Sequence, residues 1–482
     1  MKKGQLSVFF ALIMTVILSL ILTCIEGSRI SAIGMQTECV MDMGLDSAFA
    51  EYHRELLEQY DLFFIDSSYG TITPSYHYTE EHLRKYMEYN FESFQNEFGL
   101  NIKDFNRITI DDVWISEARL ATDGDGEILK LQAINYMKDK IGLDFIKEIE
   151  GKLQIVEDHE LDMRDIKGER SKVEEEISNT TEEMKEEYKE EYEEGWIEID
   201  LNNPADVVNK TRNKGILNMV IKETSKLSST VINPANYVSR RIQNKGIGFN
   251  KKPEISFSKA EDILFVEYLM EKMGNYSSQK EKGELKYQLE YLLAGKNTDI
   301  DNLKWVANRL ILLREVANVT YLFSDKIKVA EAEALAGTLT AISLTPYLQP
   351  LVKNSILFAW AYAESIQDVK LLFSGGKIPL IKTKNDWHLT LTNMFDYKNH
   401  LEDTNKDGKG LNYEMYLRIL LCMEDNKEQT QRCMDIMEMD IRKTEGNKNF
   451  RMDGCIDSIT TNMNVSSGFG YIFYIKRSYS YS

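Results

Sequence analysis

Residues 6–25 carry no charge, and they lie between Lys2-Lys3 and the charged residues Glu26 and Arg29. A helix rises 1.5 Å per residue, so this stretch makes a rod roughly 30 Å long, the thickness of a bilayer's hydrocarbon core. No other feature constrains the fold so strongly, because a lipid-spanning helix decides where everything after it must fold. A cleaved secretory signal has an apolar stretch of about 7–15 residues followed by a small-x-small cleavage site. Here the stretch is longer, and the best cut, after Ala32, has bulky Ile30 where a small side chain is wanted. Leu22-Thr23 before Cys24 does not suit lipoprotein processing. The expectation is an uncleaved, single-pass anchor in the cell membrane. Lys2 and Lys3 sit on its short side, which by the positive-inside rule puts the N-terminus in the cytoplasm and the body outside.

Within the stretch, Ser7, Ala11, Thr15, Ser19 and Thr23 recur every fourth residue as a stripe of small side chains. Such a stripe lets a second backbone approach closely, so it is a candidate helix-packing face for a membrane partner or another copy of the chain. Ser and Thr are also tolerated in any span by bonding their own i−4 carbonyls, and both readings stand on the sequence.

The chain carries −19 in total, and the part beyond Lys2 and Lys3 carries −21. That field repels phosphate polymers and argues against nucleic acid as a partner. Seven prolines and no Gly/Ser-rich tract favour one large or two modest folded regions over modules on flexible linkers. The cysteines at 24, 39, 422, 433 and 455 match no zinc or redox spacing. A bridge among Cys422, Cys433 and Cys455 is compatible with their number; isolated apolar side chains are the simpler reading.

Hydrophobic spacing makes the whole an α+β chain, predominantly helical. Residues 1–28 are expected to be a cytoplasmic tip and transmembrane helix, and 29–66 a stalk helix ending in the docking segment Tyr60-Asp-Leu-Phe-Phe-Ile-Asp66. Residues 67–482 would then form an extracytoplasmic body. Apolar positions from Ile128 to Leu153 keep helical spacing, and Val173, Ile177, Met184 and Tyr188 thread a thin stripe through the acidic stretch 167–194. Residues 127–195 are therefore expected to project as a helical hairpin. Further helices are expected at 80–98, 205–219, 260–273, 286–293, 303–323, 328–343 and 413–424. Between 334 and 363 the apolar density nears that of a span, but Pro346, Pro350, Lys353 and Asn354 interrupt it, which predicts two buried helices. Strands are expected at 108–120, 196–201, 387–392 and in the tail, where Phe469, Tyr471, Phe473 and Ile475 share one face. Together they predict a small antiparallel sheet.

Two sets of residues resemble known sequences. The opening Gly4-Gln-Leu-Ser-Val-Phe-Phe10, with Glu26-Gly-Ser-Arg29 after the span, is similar to the membrane segment of TadE/TadG-like pilus-assembly proteins. A wider set resembles an uncharacterised family of single-span proteins from Gram-positive anaerobes, encoded beside Tad (Flp pilus) secretion genes. Its residues are Ala50-Glu-Tyr-His-Arg-Glu-Leu-Leu-Glu-Gln-Tyr60, Leu289-Glu-Tyr-Leu-Leu-Ala-Gly-Lys296, Ile356-Leu-Phe-Ala-Trp-Ala-Tyr-Ala-Glu-Ser-Ile366, Gly375-Gly-Lys-Ile-Pro379 and Gly410-Leu-Asn-Tyr-Glu-Met-Tyr-Leu417. The resemblance implies a place in a pilus or secretion apparatus and brings no active site with it. A prepilin-peptidase substrate has Glu five residues after the cleaved Gly; counting from Gly4 that position is Phe9, so an intact anchor of the TadG kind is implied.

One motif carries a specific chemistry. Asp403-Thr-Asn405-Lys-Asp407-Gly408-Lys409-Gly-Leu-Asn-Tyr-Glu414 satisfies the EF-hand loop pattern. Side-chain oxygens of Asp403, Asn405, Asp407 and Glu414 and the carbonyl of Lys409 would surround Ca2+, with Gly408 making the bend. Against this, Gly410 stands where an apolar residue normally pairs with a second loop, and there is no second loop. An Asp/Asn/Gly turn capping the next helix reads the same residues without a metal. Asp123, Asp125 and Glu127 form a shorter echo that reads as a turn.

The sequence holds no Gly-x-Ser-x-Gly elbow, no His-Glu-x-x-His and no Walker loop, and its six histidines are scattered. The expectation is a non-enzymatic chain that requires no cofactor, Ca2+ apart. It would be a membrane-anchored extracytoplasmic structural component of a Tad/Flp-type pilus or secretion assembly, acting through protein partners and open to self-association through the span. Two alternatives remain open: an anchored cell-wall hydrolase working through carboxylates, and a calcium-stabilised surface binding module.

Overall fold

The computed structural model describes residues 2–96, 107–162, 164–191, 203, 205–212, 215–248, 255–396 and 409–482. Residues 6–25 are the first half of one unbroken helix, α1 (Lys2–Phe49). Large apolar side chains from Leu6 to Ile25 are exposed, and α1 is the one helix among the described residues long and apolar enough to cross a membrane. Three hydroxyls of the small-residue stripe turn onto their own backbone. Thr15 Oγ1 donates to the Ala11 carbonyl at 2.7 Å, Ser19 Oγ to Val16 at 2.9 Å and Thr23 Oγ1 to Ser19 at 2.8 Å. These bonds let Ser and Thr sit in lipid without a partner helix.

The chain is mostly helical with a small antiparallel sheet, and it divides into two units. The first comprises Met1–Tyr136, Ala235–Ser256 and Met437–Ser482. It holds α1, α2 (Arg54–Tyr60), β1 (Ile65–Asp66), α3 (Tyr76–Asn96), β2 (Ile108–Leu120) and most of α4 (Asp123–Lys138), then β3 (Cys455–Ser467) and β4 (Ile472–Ser480). β3 is the central strand. β2 pairs antiparallel along one side of it, from Ile108↔Ser467 to Leu120↔Ile456. The other side takes β4, from Ser458↔Ser480 to Ser466↔Ile472, and β1 at Ile65↔Ile456. Register shifts at Ile110/Asp112, Ile115/Glu117 and Arg119/Leu120 explain why the alternation in β2 is imperfect. Each bulge resets the inward phase, so Ile110, Val113, Ile115, Ala118 and Leu120 are all buried.

Residues 29–49 are no solvated stalk. Val40, Met41, Leu45, Ala48 and Phe49 of α1 are buried with Leu83 and Met87 of α3 and with the inward side chains of the sheet, and they form the core of this unit. Their three- and four-residue spacing makes one apolar stripe, and such a stripe is driven to bury itself. The helix expected as a stalk is the spine of a folded unit, and it ends at Phe49, where the chain bends into α2.

The second unit comprises Met137–Pro234 and Phe257–Ile436. Its helices are α5 (Leu143–Asp158), α6 (Ile166–Glu191), α7 (Ala205–Asn209), α8 (Ile216–Val220), α9 (Lys259–Lys272), α10 (Gln288–Ala294), α11 (Asp299–Ser324), α12 (Lys326–Ile342), α13 (Gln349–Phe373) and α14 (Tyr413–Met423), with α15 (Asn426–Arg442) running to its end. Several of these starts carry their cap in the sequence. Ser258 and Glu261 form a reciprocal capping box on α9, Thr298 accepts from the Asp301 N–H at 3.1 Å on α11, and Asp325 caps α12. α13 is the hub, with α6, α7, α8, α11 and α12 packed around it.

Several expectations change in this unit. The first arm of the expected hairpin, from Ile128 to Leu153, is divided between α4 and α5, and the two helices do not project as a pair: α5 lies on α9 and α14, and α6, the second arm, lies on α13. Ile146, Ile149, Leu153 and Val156 give α5 an apolar stripe of its own to bury there. The helix expected over 205–219 is two short helices. Of the two helices expected between 334 and 363, α13 is buried nearly throughout, whereas α12 buries only Ala332, Ala336 and Thr340. The strand expected at 196–201 lies outside the described residues.

Candidate functional site

α13, the hub of the second unit, carries two carboxylates. Glu364 and Asp368 lie one turn apart on α13, both fully buried. α11 faces them with Arg314 and Asn318, also one turn apart, and the chain returning after α13 supplies Lys382 and His388. Asp368 Oδ2 accepts from Arg314 Nε at 3.0 Å and from Asn318 Nδ2 at 3.1 Å, while its Oδ1 lies 2.5 Å from Lys382 Nζ. Glu364 Oε1 accepts from Lys382 Nζ and from the His388 N–H at 2.9 Å, with His388 Nδ1 also at 2.9 Å. Its Oε2 accepts from the Leu389 N–H at 2.8 Å. Arg314 Nη1 donates to the carbonyls of Pro379 and Leu380, at 2.9 and 2.7 Å, and so pins the returning chain.

Burial would raise the Glu364 carboxyl, but the Lys382 ammonium, with His388 beside it, holds it down at about 2. Ligand atoms of Glu364, Asp368 and His388 lie within 4.8 Å of one another, the spacing of a metal site. However, Lys382 Nζ reaches both carboxylates. The place a divalent ion would take is held by the protein's own cation, so the cluster is an internally neutralised clamp joining α11, α13 and the returning chain.

This clamp also accounts for the strand that does not form at 387–392. The N–H groups of His388 and Leu389 go to Glu364, and the Leu389 carbonyl accepts from Trp360 Nε1 at 3.0 Å and Trp387 Nε1 at 2.7 Å. No ladder partner is needed once those groups are satisfied.

A second feature is an open cavity of about 450 Å³ at the C-terminal end of α13. Lys222, Lys226 and Lys370 line it against one acid, Glu223, and Tyr276, Tyr287 and Phe373 form an aromatic wall. The ring centroids of Phe373 and Tyr287 lie 5.1 and 5.8 Å from that of Tyr276. Burial and the neighbouring Lys222 charge lower the Lys370 ammonium from its ordinary range. Cations beside aromatic faces, in a chain of net charge −19, suit a small anion attached to a flat or apolar group. Behind the wall, fully buried Glu290 accepts from the Tyr413 hydroxyl at 2.6 Å and from the Tyr276 N–H at 2.8 Å. Burial pushes its carboxyl up to about 7.

Of the residues singled out in the sequence, Asp403, Asn405 and Asp407 lie outside the described residues. Lys409 and Glu414 are described. Glu414 is the second residue of α14, and Asn412 caps that helix by accepting from the Met415 N–H at 2.9 Å. Gly410 is used for close approach: at φ 150°, a Cβ there would meet the Ile378 carbonyl carbon at 2.5 Å, beside the antiparallel bridge Ile378↔Leu411. Asp123 fastens a turn through the Leu120 and Gly246 N–H groups, and Gly124, Asp125 and Gly126 all have positive φ. All five cysteines are free. The buried clamp was missed, although Glu364 and Asp368 at i,i+4 directly after the apolar run Ile356-Leu-Phe-Ala-Trp-Ala-Tyr-Ala363, and Arg314 inside Leu310-Ile-Leu-Leu-Arg-Glu-Val316, were its visible signs.

The model of a family of unknown function (DUF5702) matches residues 194–467. Neither a curated protein nor a solved structure matches the chain.

Proposed function

The chain belongs to the family of unknown function DUF5702, which assigns no reaction, and we propose that it is a membrane-anchored extracytoplasmic component of a Tad/Flp-type pilus or secretion assembly, acting through protein partners. The observation that carries this reading is the continuity of α1. The exposed apolar half passes without a break into a half whose apolar stripe is buried in the first unit, so one continuous helix joins the apolar stretch to the core of that unit. A body held this way transmits position from the membrane to whatever binds it. The pilus assignment adds the likeness of residues 4–10 and 26–29 to TadE/TadG-like membrane segments.

Protease added to intact protoplasts should digest the body and leave a tag placed before Lys2 protected, and deletion of the gene should abolish pilus assembly. Protection of the body would overturn the orientation. Normal pili in the deletion strain would overturn the pilus role and leave an anchored outward-facing body.

The cavity beside α13 supports a second reading, in which the body binds a small anion bearing a ring. Phenyl phosphate is expected to raise the melting temperature of the full chain more than inorganic phosphate does, and Lys370→Met should remove the difference. Equal effects of the two compounds on the native chain would rule this reading out.

A further inference from the structure

The C-terminal hairpin lies along α1 and aims its turn at the end of the apolar stretch. Arg477 bonds Asp42 and Glu38 of α1, each at 3.2 Å. Nearer the membrane, Phe473 packs at Gly34, where an added Cβ would stand 3.5 Å from its ring. At the far end the Tyr471 hydroxyl donates to Glu26, and the Arg29 guanidinium sits 4.1 Å from the Phe469 ring centroid. Glu26 is the first charged residue after the uncharged stretch, so the β3–β4 turn stands level with the exit of α1.

The distances then decide what surrounds this turn. Arg29 is four residues past Ile25, about 6 Å along the helix axis. The headgroup layer on each side of a bilayer is roughly 5–7 Å thick. The turn carries apolar side chains that stay exposed to the surroundings: Ile472 is 76% exposed and Phe469, with Arg29 over its ring, 42%, while Ile475 on the opposite face of β4 is buried. Arg107 joins them, because its carbonyl accepts from the Gly468 N–H at 2.9 Å. Aromatic rings, one large aliphatic side chain and two arginines make the composition of a membrane-interface belt.

We propose that the β3–β4 turn is a second membrane contact, in which Phe469, Tyr471 and Ile472 enter the phospholipid headgroup layer beside the exit of α1 and fix the height and tilt of the first unit on the bilayer. This rests on reading α1 as a span. The contact makes α1 and the turn two adjacent points of attachment, so the first unit cannot swivel freely on a single helix.

The test uses the full chain in phosphatidylcholine/phosphatidylglycerol nanodiscs, with Cys24, Cys39 and Cys422 replaced by Ala and one nitroxide label introduced at a time. The label positions are Leu12→Cys in the span, Ile472→Cys at the turn and Ile242→Cys, which is 96% exposed on a loop of the same unit. Collision rates with oxygen and with a nickel chelate place each label in lipid or water. The expected order is Leu12 in hydrocarbon, Ile242 in water and Ile472 at the interface, with an oxygen-to-nickel ratio several-fold above that of Ile242. A ratio at Ile472 equal to that at Ile242, with Leu12 still in lipid, overturns the proposal and leaves the span standing. A water-like ratio at Leu12 overturns the span and the proposal with it.

Discussion

Lys382→Met is expected to destabilise the second unit by about 3–5 kcal/mol, a large part of the 5–15 kcal/mol that holds a typical domain together. The reason is arithmetic of charge in a dry place. Lys382 is the cation that reaches both Glu364 and Asp368, and all three side chains are essentially inaccessible to water. Methionine fills a similar volume, so the loss reports the unpaired carboxylates more than a cavity. Guanidinium unfolding of the full chain in detergent, followed by tryptophan emission, reads the effect, since Lys382 lies over the Trp387 ring and Trp360 bonds the Leu389 carbonyl next to the cluster. A loss below about 1 kcal/mol would mean that the clamp contributes nothing beyond ordinary packing. Adding Glu364→Gln to Lys382→Met should recover part of the loss, because the charge left buried is then removed.

The pH dependence of this loss has a definite sign. In the native chain Glu364 titrates at about 2, below its unfolded value near 4.3. Its contribution is therefore present above the unfolded value and is lost as pH falls from there through about 2. Without Lys382, burial is opposed only by His388 and the His388 and Leu389 N–H groups, so the same carboxyl moves upward, and lowering the pH protonates it and relieves the penalty. The gap between native chain and variant should be widest near neutral pH and narrow below about pH 4.5.

What could be read from the sequence follows the physics of each element. α9, α11 and α12 announce themselves by caps and by apolar spacing, and β2 by alternation that survives three bulges. The central strand β3 leaves no such trace. Asp457, Thr460, Thr461 and Asn462 are buried polar residues, and three of them find partners close by in the folded unit. Asp457 accepts from Gln132 at 2.8 Å, Thr460 donates to Glu117 at 2.8 Å, and Asn462 accepts from Tyr474 at 2.6 Å. The core-facing Ile456, Ile459, Met463 and Val465 of β3 do not follow the period of two, and the buried polar residues between them break the apolar pattern that would mark a strand. The clamp is hidden for a related reason. Glu364 and Asp368 are visible as charges directly after an apolar run, but Arg314, Lys382 and His388 reach them only through the packing of α11 and the chain after α13. The long apolar helix α1 was legible because an uncharged stretch of that length is written locally, residue by residue.

Glu290→Gln is expected to stabilise the second unit above pH 7 and to leave it unchanged near pH 4. Glu290 is fully buried on α10, and burial lifts its carboxyl to about 7 in spite of the hydrogen bonds from Tyr413 and the Tyr276 N–H. An unfolded glutamate titrates near 4.3. Between these two values the folded chain holds a proton that the unfolded chain has released. Stability therefore falls as pH rises through this window, by about 4 kcal/mol in all, or roughly 1.4 kcal/mol for each pH unit crossed. Glutamine has the shape of the protonated acid and cannot ionise. Its carbonyl keeps both donors, and its amide takes the position of Glu290 Oε2, which has no hydrogen-bond partner in either form. A buried donor without a partner costs about 1–3 kcal/mol, but the protonated glutamic acid can bear the same cost, so it largely cancels in the comparison at low pH. The melting temperature of the native chain should drop between pH 5 and pH 8 while that of the variant stays level. Parallel curves would show that Glu290 titrates like an exposed residue. Tyr413→Phe supplies the opposite displacement: removing a donor to the ionised form raises the Glu290 carboxyl further, so the fall in stability should extend to higher pH. Because Tyr276 shares that carboxylate and also lines the cavity, ionisation of Glu290 acts on the wall of the candidate anion site, and phenyl phosphate binding should weaken across the same pH interval in the native chain and not in the glutamine variant.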